Sequence, residues 1–253
     1  MKTAKAIIDY IETFCPKDSA MEFDNVGLIV GRNSHKVKKI MVMLDADFDT
    51  VKEAIDNKVD MIITHHPLLM SPISRVNDEI ILSLIENGIC LYSAHTNLDQ
   101  CKNGVNENLI KLLGAKKIKR VLLPNENFYT YTGTLPQMKL IDAITYVKEK
   151  LDIKNVRYTG NDESIVKSVC VVSGSGCGMA DDVKNLGCDT LITADIKYHQ
   201  AQHAKAIGIN IIDAGHFETE NIICNTIKET LEKQFEDLEI LISKRKNSYI
   251  KYG

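Results

Sequence analysis

Short apolar runs alternate with amphipathic stretches along this chain, and the two patterns have different periods. Lys39–Leu44 (KIMVML) is apolar and as long as a strand, and Thr50–Asn57 then places Val51, Ala54 and Ile55 on one helical face. Met61–Pro67 (MIITHHP) reads as a buried strand ending at its proline. Ile80–Glu86 reads as a helix stopped by Gly88, and Cys90–Thr96 (CLYSAHT) as another short strand. A second cycle predicts a helix over Leu140–Leu151, a strand over Val166–Val172 and a helix over Ala180–Leu186. It continues with a strand at Thr190–Thr193, a helix at Ile196–Ile207 and a strand at Asn210–Asp213. One long helix over Glu218–Phe235 and a strand at Leu238–Ser243 complete it. Strands alternating with helices predict βαβ units and a largely parallel sheet, an α/β fold. The polar stretch Leu123–Tyr131, which contains Pro124, suggests a joint between an N-terminal half, 1–124, and a C-terminal half, 125–253, whose elements can intertwine. No repeat of fixed period is visible.

Composition narrows the class. The chain has 253 residues, 44% hydrophobic and 26% charged, which is ordinary for a globular protein with a real core. Lys and Arg number 31 against 34 Asp and Glu, so the net charge of −3 argues against a dedicated nucleic-acid binder. Seven cysteines are scattered without a CxxC, which predicts neither a disulfide framework nor a zinc knuckle. At the start, Ile7, Ile8, Ile11 and Phe14 form a helical stripe that Asp9 and Glu12 interrupt, unlike a signal peptide. With no apolar run near the ~18 residues of a membrane span, the expectation is a soluble cytoplasmic protein without membrane contact.

Metal-ligating residue types recur where the apolar strands end. His65 and His66 close one strand, His95 and Asp99 follow the next, and His216 and Glu220 follow a third. In open α/β sheets ligands bind beyond the carboxyl ends of the strands. Adjacent side chains on a strand point to opposite faces, but a chain that turns at Pro67 can aim both imidazoles at one place. His216 and Glu220 are spaced i, i+4, one face of a helix. Imidazole plus carboxylate suits Zn, Mn or Fe, and a carboxylate can bridge two ions. His199 and His203 form a rival i, i+4 pair, although the glutamate of an HExxH motif is absent. The glycine-rich loop Ser173–Met179 (SGSGCGM) is either a tight strand-to-helix turn or an anion cradle, and matches neither GxGxxG nor a P-loop. Cys177 lies within it, with no sequence neighbour that would activate a thiol.

Taken in order, these segments resemble the NIF3-like family, whose members are often labelled GTP cyclohydrolase 1 type 2 homologues. The resemblance rests on FDNVGLIVG (Phe23–Gly31), DMIITHHPLL (Asp60–Leu69), YSAHTNLDQCKNGVN (Tyr92–Asn106), VCVVSGSG, DTLITADIKYHQAQHA and IDAGHFETE. It implies a NIF3-like fold of two α/β domains around a dinuclear metal site, in the short form without an inserted domain and assembled as a toroidal homohexamer. It places two divalent ions on His65, His66, Asp99, His216 and Glu220, which displaces the HxxxH pair, and sets His199 beside them, with His95 preceding Asp99; because imidazole titrates near neutral pH, His199 or His95 is the expected proton carrier. This chain departs from the family pattern at Phe23, where Trp is frequent, at Ala194, which turns TGD into TAD, and at His203. None of these positions is among the five implied ligands. The function implied is metal-dependent hydrolysis, GTP cyclohydrolase-like, with a nucleotide or other small molecule as substrate. The alternative is a non-catalytic hexameric metal-binding scaffold or regulatory interaction protein.

Overall fold

The computed structural model describes residues 1–245 and 248–251. The chain divides into two compact units, one formed by 1–102 with 223–246 and the other by 103–222 with 247–253. Each unit takes its final segment from a different part of the chain.

The first unit opens with a two-residue strand, Lys2–Thr3 (β1), and a helix, Ala4–Phe14 (α1), capped by the Thr3 side chain, which accepts from Ala6 N at 3.2 Å. The stripe seen in the sequence is the buried face, with Ile7, Ile8 and Ile11 inside. Gly27–Val30 (β2) follows, then Lys36–Val37 (β3), which pairs with β1, and Lys39–Met43 (β4). Phe48–Asp56 (α2) begins at a capping box in which Asp47 and Thr50 satisfy each other's backbone N–H groups. Met61–Thr64 (β5), Glu79–Glu86 (α3), Cys90–Ser93 (β6) and the five-residue Thr96–Gln100 (α4) complete the contiguous part. β4, β5 and β6 are parallel neighbours and β2 closes one edge antiparallel to β6. β5 and β6 are buried at every position, as expected of strands covered on both faces. Met41, Ile62 and Leu91 of the sheet pack with Val51 and Ala54 of α2 and Ile81 and Leu84 of α3.

The second unit begins with Val105–Leu112 (α5) and a hairpin of Lys116–Leu123 (β7) and Phe128–Lys139 (β8). Leu123–Tyr131, the joint suggested by its polarity, is the end of β7, the turn and the start of β8. Leu140–Leu151 (α6), Arg157–Thr159 (β9), Ile165–Val171 (β10), Ala180–Asn185 (α7), Thr190–Thr193 (β11), Tyr198–Ile207 (α8) and Asn210–Asp213 (β12) follow. The sheet runs β7-β8-β10-β11-β12-β9, parallel from β10 to β12, with β9 antiparallel at the edge. Its core joins Val169, Val171, Ile192 and Ile212 to Leu109 and Ile110 of α5 and Ala143, Ile144 and Val147 of α6.

The single long helix expected over Glu218–Phe235 is two. His216–Glu220 (α9) ends before Ile223–Gln234 (α10) begins. The reason is burial: Ile222 packs against the second unit's core, whereas Ile223 starts a helix belonging to the first unit. Glu239–Ile242 (β13) then adds to the first sheet, parallel to β4. No described helix is long and apolar enough to cross a membrane.

Candidate functional site

The implied ligands sit at the carboxyl ends of the parallel strands, in one cluster per unit. In the first, β5 ends at Thr64 and the chain turns toward Pro67, so His65 and His66 fall beside each other with ring centroids 5.0 Å apart. His95, beyond β6, has its ring 5.2 Å from that of His65 and 5.6 Å from that of His66. One ring nitrogen from each of the three lies within 4.8 Å of the others. Asp99, in the short helix α4, brings its carboxylate 3.5 Å from Nε2 of His65. His65 is fully buried and Asp99 nearly so.

The tautomers follow from the partners. His65 Nδ1 meets the Ala94 carbonyl oxygen at 3.0 Å, and a carbonyl only accepts, so Nδ1 carries the hydrogen. His66 Nδ1 donates to Asp45 at 2.6 Å and His95 Nδ1 to Asp24 at 2.9 Å. In a neutral imidazole so held, Nε2 presents its lone pair, the arrangement found behind metal-ligating histidines. Asp24 also accepts from the backbone N and the hydroxyl of Thr96. Burial pushes its carboxyl up, but the hydrogen bonds from His95 and Thr96 outweigh this and hold it down at about 2.

In the second unit α9 presents His216 and Glu220 on one face, with Nε2 and the Glu220 carboxylate 3.0 Å apart. His216 Nδ1 donates to Asp195 at 2.7 Å. Asp195 itself sits at φ +55, a left-handed conformation that aspartate tolerates better than most residues. Glycine is required behind this pair. Gly174 has φ +57, and a Cβ there would collide with the Glu220 carboxylate and come 3.1 Å from His216 Nε2. Glu218, on the same helix, has its carboxyl raised by burial, with Asp213 adding to the effect.

The glycine-rich loop is therefore a turn that makes room for these two side chains. Four of its N–H groups are already engaged: Ser173 N with Asn106, Gly174 N with Thr219, Gly176 N with Thr193 and Met179 N with the Gly176 carbonyl. They are not left open for a phosphate. Cys177 is buried and donates to the Ala194 carbonyl at 3.3 Å. Burial, with Asp213 adding to it, pushes its thiol up to about 12, so it is no nucleophile near neutral pH.

The remaining sequence candidates, His203 and His199, are not among the residues whose ligand atoms gather in these clusters. His203 is exposed and pairs with Asp181 at 2.8 Å on the surface. His199 is exposed in the first turn of α8, and its side chain makes no hydrogen bond to another described residue. Asp24 and Asp45 were not singled out from the sequence, and Gly174 only as part of its loop. Asp45 and Asp195 carry the same signal as the ligands, an acidic residue just past an apolar strand, and could have been found by it. Asp24 lies 71 residues from His95 and gives no local sign of its role.

Comparison with known proteins places the whole chain. Residues 2–248 match the profile of a family described as Duf34/NIF3 (NGG1p interacting factor 3). A Clostridium perfringens protein named GTP cyclohydrolase 1 type 2 homolog is 35% identical over 250 residues, covering 94% of this chain and 95% of its own. One of the same name from Methanocaldococcus jannaschii is 36% identical over 252 residues, covering 94% and 98%. Among solved structures, a Bacillus cereus protein related to NIF3 superposes with a TM-score of 0.92 at 22% identity, covering 100% of this chain and 99% of that one. Reduced HcgD from Methanocaldococcus jannaschii gives 0.81 at 33% identity, covering 96% and 98%.

Proposed function

Because the chain belongs to the Duf34/NIF3 family, we propose that it binds two divalent cations, Zn, Mn or Fe, through His65, His66, Asp99, His216 and Glu220, and uses them for metal-dependent hydrolysis. One observation carries the metal reading. His216 faces a carboxylate at each ring nitrogen, Asp195 at 2.7 Å and Glu220 at 3.0 Å. A neutral imidazole carries one hydrogen, so with Nδ1 donating to Asp195, a lone pair faces Glu220. A shared cation resolves that opposition. The spacing suits one, because two ligands ~2.1 Å from an ion and ~90–110° apart lie ~3.0–3.4 Å from each other. The 3.5 Å between His65 Nε2 and Asp99 is close to the same edge length.

When bound, the cations supply Lewis acidity and lower the pKa of water at the site. The protein's own part is orientation and proton transfer. Asp45 and Asp195 fix the rings of His66 and His216. Asp24 holds His95 with its Nδ1 hydrogen committed, which leaves Nε2 to take up and return a proton beside His65 and His66. His199 is the second proton carrier in this reading. The names of the relatives favour a nucleotide or similar small molecule as substrate. Assembly as a toroidal homohexamer, which the family resemblance implies, belongs to the same proposal, as does a cytoplasmic location, which the scattered cysteines and the lack of a signal-peptide pattern favour.

Elemental analysis after loading with Zn or Mn tests the core of it. Close to two ions per chain is expected, and one or fewer sinks the dinuclear reading. Assay of the loaded protein on GTP, other nucleotides, phosphoesters and small amides tests the hydrolase. Full metallation with no turnover anywhere on that panel would replace the enzyme with a metal-binding scaffold.

A further inference from the structure

A cavity of about 160 Å³ opens beside His216, and Arg157, Asp195, Asp213, His216, Ser248 and Lys251 contribute to its wall. All belong to the second unit. At ~30 Å³ per water the space holds roughly five waters, which suits one polar group of a ligand and not a whole nucleotide.

Two of the wall's acids are already engaged. Asp213 is buried and accepts from Arg157 at 2.5 Å, from Ile196 N at 3.0 Å and from Gly215 N at 3.2 Å. Asp195 is occupied with His216. Glu218, the remaining acid, lies with its carboxylate against the Gly215 backbone. The donors are less engaged. Arg157 commits one amino group to Asp213, its side chain is 52% exposed, and it has no other hydrogen-bond partner among the described residues. A guanidinium has five N–H donors in a planar fork. Ser248 Oγ accepts from Ile250 N at 3.1 Å, which leaves its own hydrogen to donate. Lys251 is exposed and forms no ion pair with another described residue.

We propose that this cavity is a subsite for a phosphate group of the substrate, gripped by Arg157 and steadied by Ser248 and Lys251. Asp213 then acts as a positioning residue, holding one arm of the guanidinium so that the others meet the anion already oriented. The donor set favours phosphate over carboxylate: an arginine fork, a hydroxyl and an ammonium lining one cavity supply more donors than a planar carboxylate uses and suit a group with three free oxygens. The inference rests on the hydrolase reading for the word substrate and narrows it to phosphorylated small molecules.

Titration calorimetry with inorganic phosphate tests it on the metal-loaded protein, with metal content measured alongside. Arg157→Gln is expected to weaken phosphate binding about tenfold or more, and Lys251→Gln about threefold, each with metal content unchanged. Arg157→Lys, which keeps a cation for Asp213 but loses the fork, is expected to fall between them and guards against misfolding of the glutamine variant. Unchanged affinity in both Arg157→Lys and Lys251→Gln overturns the subsite. So does a wild type that binds no phosphate at millimolar concentration, or one that binds acetate as tightly as phosphate. Should the wild type take up no metal, the function proposed above fails on that measurement alone, and the same titrations on the metal-free protein still decide the subsite.

Discussion

The two units solve one problem with the same strands and different materials. In the first, β4, β5 and β6 run parallel and β2 closes the edge; in the second, β10, β11 and β12 do so with β9. The last parallel strand of each leads into a five-residue helix. In each, an aspartate past one parallel strand holds the histidine past its neighbour 21 residues later: Asp45 with His66, and Asp195 with His216. The edge strands repeat the idea, with Asp24, just before β2, holding His95 and Arg157 of β9 holding Asp213. The materials then diverge. The first unit gathers three imidazoles, the fully buried His65 among them, whereas the second offers one imidazole, a glycine-lined carboxylate and an open cavity. The shared frame fixes side chains at strand ends, and the residues placed on it divide the work. On the reading above, the histidine-rich half chiefly holds cation and the half with Arg157 also presents substrate.

The sharpest way to break this comparison is at Gly174, because only the second cluster leans on a missing side chain. Gly174→Ala adds left-handed strain and a Cβ inside the Glu220 carboxylate. It is expected to cost at least one bound ion per chain by elemental analysis, with about 1–3 kcal/mol of stability lost to urea. Gly178→Ala, where a Cβ meets nothing within 4 Å, is the control and should change neither. Next in size, Asp45→Asn and Asp195→Asn should each lower metal affinity about 10–100-fold in a competitive chelator titration. Similar losses would confirm that the aspartate–histidine device is equivalent in the two units, and a loss in one alone would end the parallel.

The Asp24 brace sets an aspartate on a histidine at the edge strand, where the second unit's edge sets Arg157 on Asp213, and it should show in acid. Its carboxyl is held at about 2, below the ordinary 3.8, so its contribution is complete above about pH 5 and disappears as pH falls toward 2. The shift corresponds to about 2 kcal/mol. Urea unfolding of Asp24→Asn against wild type should show about that gap at pH 6, closing by pH 2. A gap that widens on acidification contradicts the assignment. The smallest effect is expected at His203, whose exposed pairing with Asp181 is worth at most about 1 kcal/mol. His203→Ala should leave metal content unchanged, and loss of metal equal to that of His66→Ala would put a ligand where none has been assigned.

Much of the site was legible because it lies where simple rules apply. Apolar runs with period and length proper to strands located β4, β5, β6 and β10 to β12, and His65, His66, His95, Asp99, His216 and Glu220 all stand just beyond them. What escaped is governed by distance or by backbone. Neither the fixed spacing of 21 residues nor the repeated strand order registers as a sequence period, because the connection from β5 to α3 is long and that from β11 to α8 is short. β7 was missed since Lys116, Lys117, Lys119 and Arg120 bury almost nothing, and Lys117 sits at φ +50 where the pairing slips. The break between α9 and α10 left no mark, as both flanks favour helix and only the competing cores interrupt it.

That β13 pairs with β4 has a consequence for how the protein is made. The neighbour of Lys39–Met43 on one side is Glu239–Ile242, which leaves the ribosome some two hundred residues after it. Until then β4 has an open edge, the kind that recruits other strands. The first sheet is begun early and finished last, while the second unit's parallel strands are all made in between. Until Glu239–Ile242 has been made and has emerged, the first unit is held with its flank unprotected. Chaperone dependence is expected to concentrate on that interval of synthesis.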